Sequence, residues 1–286
     1  MDGSRFSWDY CQRNSDDILA GGLEQLKSAD KYGGSLGVPA TAGNYVVSIG
    51  NTPMYTGEAR DLASRLKQQF RPRTSSFYKN YVKKQSQLGI EQDLKIDDFA
   101  VRFIETEIGR KELEEFIIVN LATPLNKFQL AKRDIFAIPL KNGLWYEVQS
   151  KYSEIIKDGG NTVLSTKPVK WLEATPFAKP GLYIISDDNN EIVYIGESSN
   201  VHDRHGTHSK DTYFSALRRN LGTKLLGFQL QERRGKKRYF DPNEDSQIDD
   251  YLKNCTITLQ MINFGRLELE EHLIKSIQPI LNKKAK

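Results

Sequence analysis

Residues 181–204 read GLYIISDDNNEIVYIGESSNVHDR, and the reading of the fold starts from this stretch. It opens Gly-x-Tyr at Gly181 and Tyr183 and continues as an apolar run rich in β-branched residues. Asp187-Asp188-Asn189-Asn190 then interrupts it, and a second apolar run ends in Tyr194-x-Gly196. Two strand-like runs around an Asn/Asp turn predict a β-hairpin. Arg204 follows Gly196 by eight residues. Residues 43–66, GNYVVSIGNTPMYTGEARDLASRL, repeat the pattern with Tyr45, a Gly-Asn-Thr-Pro turn, Tyr55, Gly57 and Arg65 at the same interval of eight. Further on the chain repeats again, as LEEFIIVNLATPLN (113–126) and LEEHLIKSIQPILN (269–282). Glu114 precedes Asn126 by twelve residues, and Glu270 precedes Asn282 by twelve. The apolar spacing around each Glu predicts a helix, and the Pro near its end predicts its stop.

The order hairpin, Arg helix, further helix, Glu helix and terminal Asn therefore occurs twice in 286 residues. That length alone favours two domains. The expected organisation is an N-terminal extension (1–40) with a helix over Asp16–Lys31, a first repeat (41–127), a connecting segment (128–178) and a second repeat (179–286). The connecting segment holds Trp145 and Trp171 and is too apolar for a floppy linker, so it should add a strand or helix to one domain. From Arg to Glu the first repeat spans 49 positions and the second 66, which predicts an insertion near QERRGKKRYFDPNEDS (231–246).

Composition is that of an ordinary globular chain: 38% hydrophobic, 27% charged, net charge +4. It excludes collagen-like, disulfide-scaffold and low-complexity classes. Cys11 and Cys255 make no C-x-x-C, so no zinc motif is present, and a reducing compartment is the simpler reading. The sequence shows no apolar leader and no run of about 18 apolar residues that a membrane span requires. A soluble cytoplasmic protein with no membrane association is expected.

The charge is unevenly spread. Residues 62–90 hold Arg65, Lys67, Arg71, Arg73, Lys79, Lys83 and Lys84 and no acidic residue, with Phe70, Phe77, Tyr78 and Tyr81 interleaved. The second repeat has Arg218, Arg219 and Lys224, then Arg233, Arg234, Lys236, Lys237 and Arg238. Such runs are expected to contact a nucleic-acid backbone. All four histidines, His202, His205, His208 and His272, lie in the second repeat. His208 stands four after Arg204, where the first repeat has Gln69 after Arg65.

These residues together resemble the GIY-YIG nuclease family. The second repeat matches well, through Tyr183, Tyr194, Arg204, His208, Glu270 and Asn282. The first matches with Tyr45, Tyr55, Arg65, Glu114 and Asn126, and departs at Asn44, Thr56 and Gln69. The resemblance implies an α/β (α+β) fold, two tandem units each with a small, mostly antiparallel sheet flanked by helices. It implies that Tyr183 and Tyr45 help activate the attacking water and that Tyr194 and Tyr55 position the phosphate. Arg204 and Arg65 would stabilise the phosphoryl group. Glu270 and Glu114 would hold Mg²⁺, with Mn²⁺ as a substitute, and Asn282 and Asn126 would brace the site.

The chemistry agrees with the residue types. Guanidinium offers phosphate a planar fork of donors. A carboxylate with few co-ligands suits Mg²⁺, which keeps waters and takes substrate oxygens. Tyrosine, with a free pKa near ~10, is a poor base unless a cation, a metal or a histidine assists it. His208 is accordingly read as a proton relay, in preference to a metal ligand with His202 and His205.

The expected function is metal-dependent cleavage of double-stranded DNA by a restriction or defence endonuclease, one site per unit, with no small-molecule cofactor. A single chain with an internal pseudo-two-fold and a homo-oligomer both satisfy the pattern. Two rivals stay open: an enzyme in which only the second unit cuts while the first binds DNA, and a non-catalytic nucleic-acid-binding protein on a nuclease scaffold.

Overall fold

The computed structural model describes residues 6–33, 37–71, 75–90, 98–126, 144–210, 212–233 and 235–282. It divides into two units, Met1–Ile155 and Ile156–Lys286.

In the first unit, helix α1 (Trp8–Arg13) starts at Ser7, whose Oγ accepts the Tyr10 backbone N–H. Helix α2 (Ser15–Ser28) buries Ile18, Leu19, Leu23 and Leu26, a spacing that places them along one helical face. A two-residue strand β1 (Tyr32–Gly33) follows, then the hairpin of β2 (Gly43–Ile49) and β3 (Thr52–Ala59). Next come α3 (Leu62–Gln69), α4 (Ser76–Lys84), β4 (Phe99–Glu105), α5 (Arg110–Leu121) and α6 (Leu144–Ser150).

The sheet order is β1-β4-β2-β3, with every pairing antiparallel. The strand β2 lies inside the sheet and is buried over six of its seven residues. Gly43 is demanded by close approach, since a Cβ there would overlap the Ile104 carbonyl and the Leu62 side chain. Tyr45, Val47, Tyr55, Leu66, Phe77, Tyr81 and Phe99 form one core cluster.

Helix α6 belongs to this unit. Its Gln149 accepts from the backbone N–H groups of Glu107 and Ile108 and donates to the Ile108 carbonyl, fixing the loop that enters α5. The Trp145 ring lies where a side chain on Gly22 of α2 would have to go.

The division between the units falls within α7 (Tyr152–Leu164). The second unit continues with β5 (Val169–Lys170), β6 (Gly181–Ser186), β7 (Ile192–Ser198), α8 (Val201–Lys210) and α9 (Ala216–Lys224). A separate hairpin of β8 (Gln231–Arg233) and β9 (Lys236–Tyr239) precedes α10 (Pro242–Asn254), β10 (Thr256–Met261) and α11 (Arg266–Ile277). A capping box between Asp241 and Glu244, with Pro242 in the first turn, starts α10. The second sheet has the order β5-β10-β6-β7 and is again antiparallel.

The two sheets correspond strand by strand. Each has a two-residue edge strand, then the late strand, then the two hairpin strands. The register shift falls at the same place, between Val47 and Ser48 in one and Ile185 and Ser186 in the other. Both Glu helices begin after a left-handed glycine, Gly109 (φ 88°) and Gly265 (φ 82°). Both end at a left-handed residue, Ala122 and Gln278. The mixed α/β class with small antiparallel sheets is therefore as expected. The insertion expected around 231–246 is the β8–β9 hairpin and the first turn of α10.

Cys11 and Cys255 are both buried free thiols, one in each unit. Among the described residues no helix is long and apolar enough to cross a membrane.

Candidate active site

Strand pairing brings the two tyrosines of each unit together. Tyr183 lies opposite Gly196 and Ile185 opposite Tyr194, so Tyr183 and Tyr194 are diagonal neighbours on one face. Their ring centroids are 6.2 Å apart. In the first unit Tyr45 faces Gly57, Val47 faces Tyr55, and the two rings stand 6.3 Å apart. The glycine of each Tyr-x-Gly has a steric cause. A Cβ on Gly196 would fall inside contact distance of the Tyr183 phenol, and one on Gly57 would do the same to Tyr45.

The next residues to join come from the Arg helix. In the second unit Arg204 Nε donates to Tyr183 Oη at 3.4 Å. His208, one turn further along α8 and fully buried, places Nε2 2.9 Å from Tyr183 Oη. Its Nδ1 lies 2.7 Å from Ser215 Oγ, and Ser215 also caps α9 by accepting the Arg218 N–H. Burial, with the Arg204, His205 and Arg218 charges adding to it, pushes the His208 pKa well below the usual histidine value. His208 is therefore neutral. The tautomer that gives the phenol proton an acceptor carries its own proton on Nδ1, directed at Ser215, and leaves the Nε2 lone pair to Tyr183.

The first unit builds the same chain with an amide. The Gln69 oxygen faces the Arg65 guanidinium, because the reverse would set donors against donors. It accepts from Tyr45 Oη at 3.0 Å and from Arg65 Nε and Nη2 at 3.1 and 3.2 Å, while its nitrogen donates to Ser75 Oγ at 3.0 Å. Ser75 caps α4 through the Tyr78 N–H, as Ser215 caps α9. Burial raises the phenol pKa of Tyr45 and Tyr183, with the neighbouring Tyr55 and Tyr194 adding to the effect. Arg65 and Arg204 pull the other way by stabilising the phenolate.

The Asn residues brace the hairpin from beneath. Asn282 Oδ1 accepts from Ile195 N at 2.8 Å, and its Nδ2 donates to Ile195 O at 2.7 Å. Asn126 clasps Thr56 identically, at 2.9 Å in both directions. Each Asn thus grips the middle residue of Tyr-x-Gly, a two-bond clamp on the N–H and C=O of that one residue.

The Glu helix supplies the carboxylates. Glu270 Oε1 accepts from the Glu197 N–H at 3.1 Å. Burial, reinforced by Glu58 and Glu115 and opposed by Lys111 and Arg65, pushes the Glu114 carboxyl up to about 8. A cation beside it would relieve that crowding. No group of three or more His, Cys, Asp or Glu side chains able to hold a metal occurs among the described residues. A lone carboxylate is a donor that a hard cation can take, with waters and substrate oxygens in the rest of its shell.

One pair escaped the sequence reading. Glu197, the residue after Gly196, accepts from Arg266 Nε at 2.9 Å, and Arg266 is almost wholly buried. Glu58 and Arg110 pair likewise at 3.5 Å. The signal was present as Tyr-x-Gly-Glu and Gly-Arg-x-Glu-Leu-Glu-Glu, both of which occur twice.

Several basic residues expected to touch nucleic acid have other work. Arg218 is buried and holds Thr212 Oγ1, the His208 carbonyl, Asp245 and Asp249. Arg219 donates to the carbonyls of Thr212 and Tyr213, and Lys84 donates to that of Pro124. The expectation for Arg218 is corrected, because its charge is paired inside the unit, while Arg219 and Lys84 are half-buried and hold backbone carbonyls. The aromatics of the first basic run are corrected too: Phe77 and Tyr81 are core, and Phe70 packs on it. Lys67, Arg71, Lys79 and Lys83 are exposed, as are Arg233 and Lys236. Arg73, Arg234 and the side chain of Lys237 lie outside the described residues.

The three clustered histidines of α8 do not converge. His202 is exposed beside Asp203, His205 lies against Trp171 with ring centroids 4.5 Å apart, and His208 faces Tyr183.

Residues 160–286 match the family model of the GIY-YIG catalytic domain. The second unit carries a nuclease domain. No curated protein and no solved structure matches the chain. The matched range contains all six residues picked out in the second unit.

The buried histidine gives a stability prediction. His208 has its folded pKa depressed, so its contribution is complete above the unfolded value near ~6.5 and is lost as pH falls below it. Urea midpoints of the full chain should fall between about pH 6.5 and 5, and His208→Gln should flatten that segment of the profile. An equal slope in both proteins would refute the assignment.

Proposed function

We propose that the protein is a divalent-metal-dependent DNA endonuclease of restriction or defence type, with one hydrolytic site in each unit. The observation that carries this reading is the duplicated constellation: paired tyrosines, an Arg from the next helix, a Glu from the last helix and an Asn clamp, with matching partners in both units. Binding alone would not call for the Glu, since a carboxylate facing phosphate weakens affinity unless a cation intervenes.

In the second unit Arg204 meets the phosphoryl oxygens and holds Tyr183 Oη in place. Tyr183 orients the attacking water and takes its proton as its own passes to His208 Nε2, with Ser215 keeping the imidazole aligned. Tyr194 lies beside the same phosphate. Asn282 and the Arg266–Glu197 pair hold the hairpin and the Glu helix in fixed relation. A divalent cation held by Glu270 would supply positive charge against the departing 3′ oxygen. In the first unit Tyr45, Tyr55, Arg65, Glu114 and Asn126 take the corresponding places.

One observation favours a second reading. Gln69 stands where His208 stands, and an amide cannot accept the phenol proton. The first unit would then cut slowly, or bind DNA only.

Supercoiled plasmid with Mg²⁺ separates these readings. Linear product from wild type, with nicked circles from both Glu114→Ala and Glu270→Ala, establishes two sites. Loss only with Glu270→Ala establishes one. DNA binding without cleavage in any divalent metal, on modified and unmodified genomic DNA, overturns the enzymatic reading.

A further inference from the structure

The loop from α8 to α9 presents an aromatic ring to solvent. Phe214 is 63% exposed and immediately precedes Ser215, the partner of His208. Residues 212–215 of this loop are tied to α9. Arg219 holds the carbonyls of residues 212 and 213, Arg218 holds Thr212 Oγ1, and Ser215 caps α9. Phe214 stands edge-on to Tyr213 with centroids 4.7 Å apart, and Tyr213 in turn meets Tyr239 of the inserted hairpin at 5.3 Å.

Cations crowd the same aromatics. Lys236 Nζ lies 5.8 Å and Arg238 Cζ 5.3 Å from the Tyr213 ring centroid, and Arg233 Cζ lies 5.2 Å from that of Tyr239. An exposed apolar ring that packs edge-on to Tyr213, whose ring and that of Tyr239 carry three cations, matches a nucleotide: a π-face for the base and positive charge for its phosphates.

We propose that Phe214 stacks on a base of the cleaved strand, while Arg233, Lys236 and Arg238 take the flanking phosphates, so that the site holds a nucleotide unstacked from its neighbour. This rests on the reading of the second unit as a DNA nuclease. The inserted hairpin then acts as the wall that supports the platform, through Tyr239 against Tyr213.

The test uses the full chain carrying Glu270→Ala, with affinity read by fluorescence anisotropy. The probes are a short oligothymidylate, whose bases are already unstacked, and an abasic oligonucleotide of the same length. Stacking on one base is worth about 1–3 kcal/mol, so Phe214→Ala should weaken oligothymidylate binding by roughly 5–150-fold and leave the abasic probe unchanged. Phe214→Trp should retain the affinity. Replacing Arg233, Lys236 and Arg238 by Ala should weaken both probes alike and flatten the salt dependence, by about 0.7 in slope for each phosphate that is no longer neutralised.

Equal loss on the two probes with Phe214→Ala, or no loss on either, overturns the platform. Cleavage by the otherwise wild-type chain is measured alongside. A chain that cuts DNA while Phe214→Ala binds normally removes this proposal only, whereas a chain that neither binds nor cuts removes the nuclease reading beneath it.

Discussion

Exchanging His208 for Gln lowers the rate at which the second unit cuts DNA by about 10²–10⁴-fold, the usual contribution of a positioned acid or base. The measurement is plasmid nicking by a chain that carries Glu114→Ala, so that the first unit is silent. The expectation follows from the single difference between two otherwise matching chains of contacts. Tyr183 meets His208 and Ser215, while Tyr45 meets Gln69 and Ser75. Imidazole can take the phenol proton through Nε2 while its Nδ1–H stays bonded to the serine, but an amide cannot take it. Substitution by Gln keeps a hydrogen-bonding group at Tyr183 and removes proton transfer, so the fold should persist.

Tyr183→Phe should cost a similar factor, and the double variant should lose little more than either single one, because the two residues act as a unit. The converse exchange tests the same logic. With the second unit silenced by Glu270→Ala, Gln69→His should raise nicking by the first unit. If His208→Gln cuts at the parental rate, the relay is not part of the reaction.

How much of this was legible beforehand depends on where the partners lie in the chain. The hairpins, the Arg at eight residues and the Glu–Asn interval of twelve are local, periodic and repeated, and they position the strands and helices that the structure contains. His208 was visible because it falls one helical turn after Arg204. Ser215 and Ser75 were not, although each is a serine opening a helix, because only the folded loop brings the cap back to the preceding helix.

Arg218 was misread for a related reason. A run of basic residues says nothing about Asp245 and Asp249, which return from α10 to enclose its guanidinium. Phe77 and Tyr81 sit among lysines in sequence, yet the helix turns them inward and the lysines outward, as amphipathic spacing requires. Charge counting found the exposed Lys67, Lys79 and Lys83 and also Lys84, which it could not distinguish from them. Phe214 carried no sequence signal, since an aromatic residue is ordinarily core and its exposure is a tertiary fact.

Gly196→Ala is expected to damage both folding and cleavage. The new methyl group would overlap Tyr183 Oη and Cζ. A tyrosine at the surface would swing aside at little cost, but Tyr183 is 3% exposed, packs against both the Tyr194 and His208 rings, and is bonded to His208 at its tip. Any shift that clears the methyl group also pulls Oη from His208 and Arg204.

Overpacking of this kind costs about 1–3 kcal/mol, and the urea midpoint of the second unit should fall accordingly. Cutting by that unit should fall as far as with Tyr183→Phe, since both remove the same hydrogen bond. A compensating change separates steric from catalytic loss. Tyr183→Leu in the Gly196→Ala background should recover part of the stability and none of the activity. Gly57→Ala should repeat the stability effect through Tyr45 in the first unit. Unchanged midpoints at both glycines would mean that the tyrosines are free to move, and then neither Tyr-x-Gly would owe its glycine to the ring that lies across it.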